Sequence, residues 1–143
     1  MCNIMDGPLS GTGEEERAMA QLSLNILKLP VQEMARAVAF YRDMLGFRLL
    51  FQVEEFGWAQ LDRDGIALAL YLPGEGGGDR TPGGSADFHL ICDNLVEFWR
   101  ELLQRGLELE EGIVSGEDTT AFIDLPDSEG NIIRIIQAEQ DRN

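Results

Sequence analysis

The chain has 143 residues, with 26 Asp and Glu against 11 Lys and Arg, for a formal net charge of −15. The length suits one compact domain, and 44% hydrophobic with 26% charged residues is ordinary for a folded globular chain. The acidity, with Lys28 the single lysine, argues against nucleic acid and against an anionic membrane surface, since both need clustered cations.

Residues 1–20 mix Gly, Ser, Pro and a Glu run without a sustained period, and read as a flexible N-terminal extension. The folded part spans 21–139. Its first module, 22–73, opens on an apolar, β-like run over 22–31. Within 33–45, Met34, Ala37, Val38, Tyr41, Met44 and Leu45 recur at helical spacing, and Gly46 stops the helix. Residues 47–53, 56–61 and 66–72 read as three strands, the last two separated by the turn Asp62-Arg63-Asp64-Gly65.

The segment 73–85 holds six glycines and two prolines and reads as a mobile linker. The second module, 86–137, repeats the order: a strand at 87–92, then a helix capped by Asp93 or Asn94 and stopped by Gly106. Strands at 107–114, 119–125 and 131–137 complete it. Phe40-Tyr41-Arg42-Asp43-Met44-Leu45 is echoed by Phe98-Trp99-Arg100-Glu101-Leu102-Leu103, so the chain reads as two βαβββ modules. The spacing of that echo predicts a first helix about one turn longer than the second.

Strand alternation assigns faces. Ile66, Leu68 and Leu70, and likewise Phe88, Leu90 and Cys92, suit the side covered by helices. The other side carries Trp58, Gln60 and Tyr71 in the first module, and Asp87, His89, Phe122 and Arg134 in the second. That second side is aromatic and mildly polar, as a curved pocket wall would be. Asp87 and Arg134 are expected to form an ion pair there. Two cysteines, Cys2 and Cys92, are too few for a disulfide framework. No apolar run approaches the roughly 18 residues of a membrane span, and no secretory signal is visible, so a cytoplasmic location is expected.

Ala39-Phe40-Tyr41-Arg42-Asp43-Met44-Leu45-Gly46-Phe47 and the turn Asp127-Ser128-Glu129-Gly130-Asn131 resemble signatures of the vicinal oxygen chelate superfamily. That superfamily includes glyoxalase I, extradiol dioxygenases and bleomycin-resistance proteins. The resemblance implies an α+β fold of two βαβββ modules whose curved mixed sheets surround a cavity. It also implies four metal-ligand positions, which fall here on Ile26, Ala69, Asp87 and Arg134. Only Asp87 offers a donor, since Ile and Ala have none and a guanidinium stays protonated. No metal and no cofactor are therefore expected.

Three functions remain open. The first is a metal-free binding protein holding a small, partly aromatic ligand between the modules, as the resemblance to bleomycin-resistance proteins implies. Its ligand-binding residues would be Trp58, Gln60, Tyr71, Asp87, His89, Phe122 and Arg134. The net charge favours a cationic or neutral guest. The second is a metal-independent lyase or isomerase with His89 as acid or base. The third, least favoured by the missing ligands, is a metal-dependent lyase or dioxygenase. A homodimer is expected, as is common in the superfamily.

Overall fold

The computed structural model describes residues 19–84, 86–109, 111–116 and 119–139. Most of the expected N-terminal extension lies outside these. Two four-stranded mixed sheets form, each followed through the chain in the same order. In the first module β1 (Leu27–Pro30) leads to α1 (Met34–Ala39), which continues as a π-helical turn over Phe40–Met44. Then come β2 (Arg48–Val53), β3 (Trp58–Arg63) and β4 (Ile66–Tyr71). The second module has β5 (Asp87–Cys92), α2 (Leu95–Gln104), β6 (Val114–Gly116), β7 (Thr119–Pro126) and β8 (Ile132–Gln137). The sheets run β1-β4-β3-β2 and β5-β8-β7-β6, the outer pairs β1·β4 and β5·β8 being parallel and the others antiparallel. Identical strand order in both halves is the structural form of the repeat.

Three elements differ from the sequence reading. The first strand is confined to Leu27–Pro30, and Leu22, 96% exposed, lies outside any sheet. Residues 107–109 and 111–113 lie outside any strand, because Gly106 turns the chain at φ +95° and pairing with β7 begins only at Val114. The helices are nearly equal, with 6 α-helical plus 5 π-helical residues against 10. The offset in the echo comes from where the repeated segment sits: Phe40 is six residues past the helix start at Met34, and Phe98 is three past Leu95. Leu45 N–H reaches Phe40 O and Phe47 N–H reaches Tyr41 O, a local widening of the helix end.

The faces follow from alternation. Leu29, Ala59, Leu61, Leu68 and Leu70 of the first sheet and Ile123, Leu125, Ile133 and Ile135 of the second share one buried cluster with Tyr41, Phe98 and Leu102. Each fully buried aliphatic side chain contributes about 1.5–3 kcal/mol. The modules thus pack through their helix-covered sides. Polar contacts pin this arrangement. Tyr41 Oη donates to Asp127 Oδ2 at 2.6 Å, Arg36 Nη2 to Glu129 Oε2 at 2.8 Å, and Arg105 Nη1 to Met44 O at 2.8 Å. The Asp127 turn is closed by its own carboxylate, whose Oδ1 accepts from the Glu129 and Asn131 backbone N–H groups.

Candidate functional site

Opposite the core, the first sheet gathers Trp58, Gln60 and Tyr71, as the alternation requires. Trp58 and Tyr71 are registered partners on β3 and β4, and Gln60 sits one rung away beside Ala69. The Trp58 indole N–H points to Gln60 Oε1 at 3.4 Å. Lys28, on the neighbouring β1 and registered with Ala69, joins them. Its ammonium lies 5.2 Å from the Tyr71 ring centre and 5.8 Å from that of Trp58, within cation–π range. The sequence reading passed over Lys28. The signal was its place as the one polar residue between Leu27 and Leu29, which puts it on the face away from the core.

The glycine-rich connection is seated on this face. Lys28 Nζ donates to Gly77 O at 2.6 Å, and Gly74 N–H closes the loop onto Gly78 O at 2.8 Å. A Cβ on Gly77 would lie 2.8 Å from Trp58 Cε3, and one on Gly78 would lie 2.8 Å from Tyr71 Cε2. Only bare backbone can lie so close to both rings. Under this cover Tyr71 is 2% exposed.

The second sheet gathers Asp87, His89, Phe122 and Arg134 on its corresponding side. The expected Asp87–Arg134 ion pair is not formed. Asp124 is the registered partner of Arg134 on β7, whereas Asp87 is registered with Ile132, two residues off. Arg134 therefore forms a bidentate pair with Asp124 at 2.7 and 2.8 Å, and its guanidinium stacks 3.8 Å from the Phe122 ring centre. The hydrogen bonds from Arg134 hold the Asp124 carboxyl below its usual range. His89 is exposed beside Arg134, and no described side chain donates to it or accepts from it.

These two groups of residues do not meet in one chain. Among the described residues no hydrogen bond, ion pair or ring contact joins Lys28, Trp58, Gln60 or Tyr71 to Asp87, His89, Phe122 or Arg134. Instead the second face is open, with Ile91 74% and Ile132 39% exposed. Between the modules, on the helix side, runs a separate cleft of ≈ 430 Å³ lined by Phe47, Ile66, Leu90, Cys92, Phe98 and Ile135.

The fold and its motifs can now be set against known proteins. The family model described as Glyoxalase/Bleomycin resistance protein/Dioxygenase superfamily matches residues 23–135. The chain belongs to this superfamily. A bleomycin-binding protein solved in complex with bleomycin is similar at 26% identity, over 82% of this chain and 100% of that one, with a TM-score of 0.63. A bleomycin resistance determinant encoded on the transposon Tn5 is similar at 27% identity, over 83% and 100%, also at 0.63. A superfamily protein from Nocardioides shares the fold at a TM-score of 0.68 and 18% identity, over 90% of this chain and 91% of that one. No curated protein is similar enough to count as a match.

Of the four positions that the resemblance assigns to metal ligands, Ile26, Ala69, Asp87 and Arg134, only Asp87 offers a donor side chain, which does not fit the donor set a divalent cation needs. Ala69 is fully buried and, like Ile26, carries no donor atom. Arg134 is a cation already committed to Asp124. Among the described residues no group of three or more His, Cys, Asp and Glu is placed to hold a metal. No described helix is long and apolar enough to cross a membrane.

Proposed function

We propose that this superfamily member is a small-molecule-binding protein that works without the family's metal and holds a partly aromatic ligand against Trp58 and Tyr71. The observation that carries this reading is the registered Trp58–Tyr71 pair beneath a cover of bare glycine backbone. Two aromatic side chains stand in register on neighbouring strands, and in this reading the Gly77–Gly78 segment lifts for a flat molecule to stack on them beside Lys28. The similarity to a protein solved with bleomycin supports a binding role. His89 has no orienting partner among the described residues, which favours binding over acid–base catalysis.

The working form in this reading is a homodimer in the cytoplasm. The first sheet's aromatic face in one protomer is opposed by the second sheet's open face in its partner. This brings His89, Arg134 and Phe122 of the partner toward Trp58. The exposure of Ile91 and Ile132 supports it, since an apolar sheet face in water gains by being covered. Native mass spectrometry with naphthamide, a neutral aromatic probe, tests the whole reading. A saturable adduct on a dimer, lost in Trp58→Ala, is the expected result. A monomer without adduct at any probe concentration would overturn it.

A further inference from the structure

We infer that the ligand of the Trp58–Tyr71 face is an aromatic anion, a ring bearing a carboxylate or similar oxygen, and that it binds by replacing Gly77–Gly78. This deepens the proposed function and rests on it. The net charge of −15 pointed to a cationic or neutral guest. Locally the balance is reversed. Two cations lie on this face among the described residues: Arg48 is paired with its registered partner Asp62, whereas Lys28 sits beside the two rings with no described carboxylate in an ion pair with it. Arg134, the only cation on the second sheet's open face among the described residues, is neutralised by Asp124.

An ammonium has three donors, and a single described acceptor, Gly77 O, takes one of them. The aromatic faces that would welcome a ligand cation are already occupied by the Lys28 charge, at 5.2 and 5.8 Å. A second cation would meet that charge at close range. Among the described residues no carboxylate comes within ion-pair distance of Lys28, and charges acting across solvent are screened over about 8–10 Å at ordinary salt. The near charge therefore decides.

The closed loop shows the shape of what it covers. Its carbonyl oxygen occupies the acceptor position at Lys28, and its flat, side-chain-free backbone lies on the two rings. A planar ring with one anionic oxygen substituent reproduces both contacts. It strengthens the polar one, since a charged acceptor bonds an ammonium more tightly than a neutral carbonyl does.

Calorimetric titration of the full chain with naphthoate, naphthamide and naphthylmethylammonium tests this, using wild type, Lys28→Met, Lys28→Arg and Trp58→Ala. Wild type is expected to bind naphthoate about tenfold or more tighter than the ammonium probe. Lys28→Met should level that ranking and Lys28→Arg should keep it. The wild-type ranking stands even if a variant misfolds. If the ammonium probe binds as tightly as naphthoate or tighter, in a Trp58-dependent way, the anion assignment falls while the ligand face survives. If no probe binds, or Trp58→Ala changes nothing, the ligand face itself is wrong and the inference falls with it.

Discussion

Tyr41 donates a 2.6 Å hydrogen bond to Asp127 across the boundary between the two modules, from a residue 86 positions away in the chain. Tyr41 comes from the helix-end signature and Asp127 from the hairpin turn, the two segments on which the family resemblance rested. They are two halves of one contact. Asp127 also accepts from two backbone N–H groups and from Asn131 Nδ2, so one buried carboxylate ties a turn to itself and to the opposite module. In denaturant titrations Tyr41→Phe should cost about 1–3 kcal/mol by leaving a buried acceptor short of a donor. Asp127→Ala should cost more, because it strips the acceptor from four donors at once. The reverse order would mean that the turn closes without its carboxylate.

The same contact sets an alkaline limit. Burial, then the Asp127 charge, holds the Tyr41 hydroxyl far above the ordinary tyrosine value of 10.0. In the unfolded chain this group ionises near that value while the folded protein keeps its proton, so the unfolded state binds fewer protons. Stability from Tyr41 is full below pH 10.0 and falls as pH rises past it. The Tyr41 phenolate absorbance should therefore appear only together with loss of tertiary signal, and Tyr41→Phe should flatten that part of the pH dependence. Phenolate formation at Tyr41 in a fully folded protein would contradict this.

The repeat, the fold and the face on which each candidate residue sits were legible in the sequence because they depend on local periodicity. Period-two alternation put Trp58, Gln60, Tyr71, Asp87, His89 and Arg134 on the sides away from the core. What was not legible depends on register and on distance through space. The choice of Asp124 over Asp87 by Arg134 follows from which residues on β5, β7 and β8 lie opposite one another. A two-residue change in pairing would alter that and leave every side chain on its own face. Nor does a run of glycines reveal that it will rest on aromatic rings. Composition reads such a run as a mobile linker, whereas Gly77 and Gly78 are fitted against Trp58 and Tyr71.

That fit gives a separate expectation. Gly77→Ala places a methyl group 2.8 Å from the Trp58 ring, so the loop must lift. The variant should show a red-shifted Trp58 emission, read in a Trp99→Phe background, and faster tryptic cleavage after Arg80. Gly74→Ala has open space for its Cβ but sits at φ +83°, so it serves as a control for backbone strain alone. Equal effects from both would mean that the ring contact is not what seats the loop.

The proposed dimer can be tested at Ile91. A charge at this exposed position costs the monomer little, yet it would be buried unpaired in the proposed interface. Ile91→Asp should therefore weaken self-association at least tenfold in sedimentation equilibrium while leaving the melting temperature of the monomer nearly unchanged. An unaltered dimer would move the interface elsewhere.

The account as a whole rests on where a ligand sits, and the molecule offers two places, the Trp58–Tyr71 face and the cleft beside Phe98. A nitrogen–proton correlation NMR titration with naphthoate separates them in one experiment. Saturable shifts centred on the Trp58 indole N–H and the Gly77 and Gly78 amides are the expected result. Shifts confined to Leu90, Cys92 and Phe98, or no shifts at all, would contradict it.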